Sequence, residues 1–363
     1  MVVHSPRLRT DLAHIPAYRA GTRAQHESLP SYSLASNETV FGPLPGVAEQ
    51  LQEALSSIHR YPDPAASQLI DALARHLHVG VDEISVGTGS VAVCQQVIVA
   101  ACTPGDEVIY AWRSFEAYPI LTALAGATSR QIPLLPNGSH DLMAMAAAVT
   151  DRTRVIFVCT PNNPTGPAVT ATALEEFLDR IPDTVLVVID EAYFEFGFQD
   201  GAPPELDAVA MCRGRANVVV LRTFSKAYGL AGLRIGYAIA SPVVTTALRK
   251  VALPFGASSL GQAAALLSLN QQDALRERVA SVQAERAGVI AQARDLGFAV
   301  PDSHGNFYWL PLGASTEKFA QACTARGVTV RAFAGEGVRV TVGEPAANDI
   351  VLAVLGKFGA GGS

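Results

Sequence analysis

The sequence predicts an α/β fold: a large domain with a mostly parallel sheet flanked by helices, and a smaller α+β domain at the C-terminal end. Between residues 46 and 255, apolar residues at helical spacing alternate with short β-branched runs, the pattern of strand–helix–strand units. Several of those runs are continuously apolar, residues 185–189 above all, as expected of strands covered on both faces. Beyond residue 270 the pattern changes to one long helical stretch followed by strand-like segments.

Taken in order, residues 47–58, 68–77 and 91–101 read as helices. Residues 84–86, 107–111, 154–159, 184–189, 218–221 and 234–240 read as strands. In the final third, Leu275, Val279, Val282, Val289, Ala293 and Leu296 fall at helical spacing and Gly297 ends the run. Strand candidates follow at 306–311, 329–333 and 338–342, with a helix near 316–326. The expected division is an N-terminal arm (1–41), a large domain (42–270) and a small domain (271–363). The arm has few periodic signals and is expected to pack on the small domain or on a partner subunit. The Gly-rich end at 359–362 is expected to fray.

Composition narrows the function classes. With 363 residues, 49% hydrophobic and 17% charged, the chain reads as an ordinary globular protein able to bury a large core. A net charge of -6 argues against general affinity for nucleic acid or anionic membranes. Five cysteines with no C-x-x-C pair suit reduced thiols rather than a disulfide framework or a zinc site. No apolar leader is evident near the start, and the 91–102 run is interrupted by Gln95 and Gln96, so the expected location is cytoplasmic. The histidines show no H-E-x-x-H spacing, so no metal is expected, and no G-x-S-x-G nucleophile motif occurs.

The strongest local signal is Thr223-Phe224-Ser225-Lys226-Ala227-Tyr228-Gly229 with Arg234, directly after the strand at 218–221. Two hydroxyls, an amine and a guanidinium around a turn are the set a phosphate-bearing aldehyde requires: donors for the dianion and an amine for the carbonyl. Asp190-Glu191-Ala192-Tyr193 ends the most apolar strand, where ligands bind in open α/β sheets. A carboxylate there suits a protonated pyridine nitrogen; the alternative role for Asp190 is a cap on the next helix. Pro161-Asn162-Asn163-Pro164-Thr165-Gly166 forms a turn from which Asn163 could donate to a phenolic oxygen. Gly87-Thr88-Gly89-Ser90 opens a helix whose N-terminal amides favour phosphate, but without a full G-x-G-x-x-G it does not read as a nicotinamide site.

These segments, together with Arg60-Tyr61-Pro62 and Val338-Arg339-Val340-Thr341-Val342-Gly343, resemble the histidinol-phosphate aminotransferase subfamily of the fold-type-I pyridoxal-5'-phosphate enzymes over nearly the whole chain. Residues 34–45 and Trp112-Arg113-Ser114-Phe115-Glu116 most resemble the actinobacterial phenylalanine (aromatic amino acid) aminotransferases. The resemblance implies that Lys226 joins the cofactor and moves the substrate proton, that Asp190 pairs with the pyridinium, and that Tyr193 and Asn163 bind the phenolic oxygen. It implies that Gly89, Ser90, Thr223, Ser225 and Arg234 hold the phosphate, with Tyr61 reaching over from a second subunit, and that Phe115 stacks on the ring. It also implies a homodimer, with Arg339 clamping the substrate carboxylate, Tyr18 closing over the substrate and Arg331 matching a ligand for substrate phosphate.

The expected reaction is transamination of phenylalanine and tyrosine with 2-oxoglutarate as acceptor. The alternatives are histidinol-phosphate aminotransferase itself and a decarboxylase of a phosphorylated amino acid. Thr39-Val40, where histidinol-phosphate enzymes usually show Asn-Pro, and Phe115 are expected to make the pocket less polar.

Overall fold

Alternation along buried strands generates two cores, one on each face of a seven-stranded sheet. The computed structural model describes residues 8–18, 31–198 and 206–359. Much of the N-terminal arm and the Gly-rich end beyond Gly359 lie outside these residues. Eleven strands are present among them: β1 (Tyr32–Leu34), β2 (Ile84–Gly87), β3 (Glu107–Trp112), β4 (Thr128–Pro133), β5 (Thr153–Cys159), β6 (Leu186–Asp190), β7 (Val218–Thr223), β8 (Gly236–Ala240), β9 (Phe307–Leu310), β10 (Val328–Phe333) and β11 (Gly337–Thr341).

The large sheet has the order β2-β8-β7-β6-β5-β3-β4 and is parallel except for β8, which runs antiparallel to both of its neighbours. Val155, Phe157, Val188, Val219 and Leu221 enter the core beneath the helices Ser90–Ala101 and Ala117–Leu124. Their neighbours Ile156, Val158, Val187, Ile189, Val218 and Val220 enter the opposite core. That second core continues without a break into the small sheet, ordered β1-β10-β11-β9. The arm contributes β1, which pairs parallel to β10. The long helix Gln272–Asp295 is also in this core, through Leu275, Val279, Val282, Val289 and Ala293. Among the described residues no helix is long and apolar enough to cross a membrane.

The structure corrects several sequence expectations. The helix from Val47 ends at Ala54 and continues only as the 3-10 turn Leu55–Ser57. The strand expected from residue 234 begins at Gly236, because Arg234 takes a left-handed conformation (φ 56°) that turns its side chain back towards Ser225. The edge strand β4 escapes pattern reading because half-exposed polar residues fill it and Pro133 ends it.

Gly236 is the tightest point of the large sheet near the strand ends. It pairs with Gly87 on one side and Thr223 on the other, and a Cβ built on it would lie 2.3 Å from Ser90 N and 2.6 Å from Gly89 C. Backbone atoms cannot step aside as a flexible side chain can, so Gly236→Ala is expected to destabilise the protein by about 1–3 kcal/mol in urea unfolding. Gly232→Ala, with nothing within 4 Å of its Cβ, is the control, expected to change stability by less than about 0.5 kcal/mol.

Candidate active site

The same alternation decides what stands at the strand ends. Asp190 continues the face of Val188, and Thr223 that of Leu221, so both side chains emerge on the side of the Ala117–Leu124 helix. Glu191 and Arg222 lie one residue out of phase and pair with each other on the far side at 2.9 Å, both buried. Asp190 Oδ2 accepts a 2.7 Å hydrogen bond from the Tyr118 hydroxyl, and its Oδ1 accepts from the Ala192 amide at 3.3 Å. Tyr118 is itself fixed by stacking on Phe157, with ring centroids 4.4 Å apart. Burial pushes the Asp190 carboxyl up, and these two donors oppose the shift. Asp190 caps no helix; the next helical turn is Phe194–Gly197, with Tyr193 at its N-cap.

An anion cradle adjoins it. Gly87, Gly236 and Thr223 lie side by side across β2, β8 and β7, and the N-terminus of the twelve-residue helix Ser90–Ala101 opens over them. Thr223 Oγ1 and Ser225 Oγ are 3.0 Å apart, and Arg234 donates to Ser225 Oγ at 3.1 Å. A Cβ on Gly89 (φ +78°) would lie 2.3 Å from the Arg234 guanidinium, so a glycine is required for the arginine to close the cradle. Among the described residues no carboxylate lies within ion-pair reach of Arg234.

Lys226 faces the cradle from the turn after β7. Its Nζ donates to the carbonyls of Ser36 and Asn37, both at 3.1 Å. Burial lowers its pKa to about 7, Arg339 and Arg234 adding to the effect and Glu38 opposing it. Asn37 (φ 52°) is fully buried and donates to the Tyr193 hydroxyl at 2.8 Å. Arg339 donates to Asn163 Oδ1 at 2.6 Å and to the Ala35 carbonyl at 2.5 Å, while its buried Nε has no partner. That contact turns the Asn163 amide nitrogen the other way as a free donor. Arg331 is gripped by Glu116 through Nε (3.2 Å) and through NH2 (2.8 and 2.9 Å). Gly166 (φ +102°) closes the turn bearing Asn163. A Cβ there would lie 2.9 Å from Ser303 Cα, and its carbonyl accepts from His304 N at 2.9 Å.

One cavity of about 580 Å³ unites Tyr18, Ser90, Phe115, Asn163, Asp190, Tyr193, Thr223, Ser225, Lys226, Arg234, Arg331 and Arg339. Gly89 stands just behind this wall, against Arg234. Tyr61 does not join it: the ring is 84% exposed and packs on Phe255, centroids 4.7 Å apart. Thr39 and Val40, expected to make the pocket less polar, are not in the wall, whereas Phe115, Ile120 and Leu121 are. A larger open cleft of about 1030 Å³ adjoins the site through Thr88, Ala92 and Gln95; its wall carries Asp71 and Arg249 but no lysine. Sequence reasoning missed Tyr118, Asn37 and the role of Glu116. For Tyr118 a signal existed, since a tyrosine in the mostly apolar 117–124 helix must find a partner for its hydroxyl.

The model of the family described as aminotransferase class I and II matches residues 31–355. The aromatic amino acid aminotransferase of Streptomyces avermitilis is 55% identical over 354 residues, covering 98% of each chain. That of Thermobifida fusca is 53% identical over 353 residues, covering 97% of each. Among solved structures, histidinol-phosphate aminotransferase from Sinorhizobium meliloti in complex with pyridoxal-5'-phosphate superposes with a TM-score of 0.87 at 28% identity, covering 99% of both chains. Matches of this extent to fold-type-I enzymes agree with the two-sheet architecture and with the site at the strand ends, and the chain belongs to the class I and II aminotransferase family.

Proposed function

We propose that the protein binds pyridoxal-5'-phosphate in the 580 Å³ cavity and transaminates aromatic amino acids, phenylalanine and tyrosine, with 2-oxoglutarate as amino acceptor. The observation that carries this reading is the convergence of a neutral-leaning amine (Lys226), a buried carboxylate (Asp190) and an anion cradle (Ser90, Thr223, Ser225, Arg234) on one space. These residues fit the cofactor's three features. The cradle suits its phosphate, Lys226 its aldehyde, and Asp190 its ring nitrogen, since a cation brought beside that buried carboxylate offsets the desolvation that raises its pKa. Tyr193 and the Asn163 amide nitrogen suit the phenolic oxygen, and Phe115 the ring face. Bound there, the cofactor supplies an electron sink for the charge left on the substrate α-carbon.

The remaining work falls to the chain. Arg339, held on two sides by Asn163 and Ala35, presents its unpartnered Nε for the substrate carboxylate. Lys226 Nζ, its pKa lowered by burial to about 7, is the group that would take and hold the proton of the substrate α-carbon. Tyr18, 55% exposed at the rim, is suited to exclude water over a bound substrate. The apolar wall of Phe115, Ile120 and Leu121, and similarity to relatives named aromatic amino acid aminotransferase, support an aromatic side chain. A homodimer is supported by exposed apolar side chains grouped near the neighbouring cleft, including Tyr61, Phe255 and Leu253, with Tyr61 completing the partner's phosphate site.

Burial of a phenyl ring contributes about 1.5–3 kcal/mol, roughly ten- to a hundredfold in affinity. In a panel of donors with 2-oxoglutarate, phenylalanine is expected to be among the best, tyrosine close behind and histidinol phosphate poor. A kcat/KM for histidinol phosphate tenfold above that for phenylalanine reverses the assignment.

Lys226 makes a separate prediction about pH. In the cofactor-free chain the unfolded amine keeps its proton up to about 10.5, whereas the folded amine loses it near 7. Between those values unfolding takes up a proton, so this residue makes stability rise with pH. Urea unfolding at pH 7, 8 and 9 should detect that rise in the wild type and a smaller slope in Lys226→Met. Equal slopes refute a buried neutral amine.

Asp190→Asn keeps the shape of the side chain and removes its charge. It is expected to slow single-turnover conversion of phenylalanine by about a hundredfold or more. A near-wild-type rate would leave Asp190 as a structural partner of Tyr118 only.

A further inference from the structure

Two arginines enter the active-site cavity from adjacent positions. Arg331 on β10 pairs in register with Arg339 on β11, and both line the cavity. Like charges directly opposite one another on neighbouring strands repel. The neutralising group is Glu116, whose carboxylate takes both Nε and NH2 of Arg331 in a partly buried, bidentate contact. Glu116 occupies the N-cap position of the helix Ala117–Leu124 yet makes no capping hydrogen bond. Its carboxylate is turned away from its own helix and into the cavity wall.

We propose that Glu116 is a specificity-determining residue. By holding Arg331 it leaves the paired-arginine subsite with one net positive charge, which matches an α-carboxylate and not a phosphate monoester. The argument is one of charge matching. An α-carboxylate carries a single negative charge and is satisfied by Arg339, whose Nε is the unpartnered donor. A phosphate monoester carries about -1.5 to -2 at neutral pH and needs the second guanidinium as well. It can take the Nε–Nη2 fork of Arg331 only by displacing Glu116, which leaves that carboxylate part-buried without a partner, and any approach to the remaining Nη1 is opposed by the Glu116 charge beside it. Histidinol phosphate bears its phosphate in place of an amino acid's carboxylate, so it meets this barrier directly. The inference rests on the transamination reading above and deepens it.

The test uses the holoenzyme as wild type, Glu116→Gln, Glu116→Ala and the double variant Glu116→Gln/Arg331→Gln. Two quantities are read: the ratio of kcat/KM for histidinol phosphate to that for phenylalanine, and the affinity for inorganic phosphate by calorimetry. Freeing Arg331 in either single variant is expected to raise the ratio and tighten phosphate binding by on the order of tenfold. The double variant should lose both gains. A purely structural role for Glu116 would lower thermal stability and leave ratio and phosphate affinity where they were. Changes below about threefold in both single variants, or a gain that survives in the double variant, overturn the proposal. If the wild type fails to transaminate phenylalanine, the aromatic reading falls, while the phosphate affinities still decide the role of Glu116.

Discussion

Coverage of the large sheet on both faces governs where this protein can keep polar chemistry. Residues 155–158 of β5, 187–189 of β6 and 218–221 of β7 each face one apolar core or the other, so an ionisable side chain at those central positions would be desolvated without a partner. At the strand ends the layers part, and the pleat sorts successive residues to opposite sides. Asp190 and Thr223 go to the cavity, Glu191 and Arg222 to the far side, where they satisfy each other. The buried ion pair and the placement of Asp190 and Thr223 in the cavity are thus consequences of the same two-residue period.

The electrostatics of the cavity follow from the uneven distribution of its charges. Lys226, Arg234 and Arg339 face one space, and among the described residues lining it Asp190 is the acid without a basic partner, because Glu116 is committed to Arg331. Positive neighbours and burial act in the same direction on Lys226, which is why its amine loses its proton near neutrality. The two backbone carbonyls that receive it belong to the arm, just after β1. A segment with little pattern of its own therefore contributes to the candidate site.

How far the sequence could be read depended on whether a feature was local. The Ser225–Lys226 turn, Asp190 at its strand end and the Asn163 turn are local signals, and all three segments open on the cavity. Tyr118 was not legible as a site residue, since its partner lies 72 positions away and nothing in its short helix names Asp190. Glu116 stood in a recognisable segment, but its meaning depends on Arg331, 215 positions on. The three-residue strand β1 is held by pairing with β10 rather than by any propensity of Tyr32–Leu34. The edge strand β4 has one face towards water and no apolar run to betray it. Tyr61 is the opposite case, a motif residue that lies outside the cavity of its own chain, largely exposed and in ring contact with Phe255.

The approach of Gly166 to Ser303 has a mechanical consequence. Two backbones meet there with no room for a single methyl group, one on the turn that carries Asn163 and the other on the chain entering β9. Any movement of the small sheet against the large one can pivot about this point but cannot slide through it. Asn163 sits three residues before this contact and accepts from Arg339 on β11, so the turn is tied to the small sheet at two places.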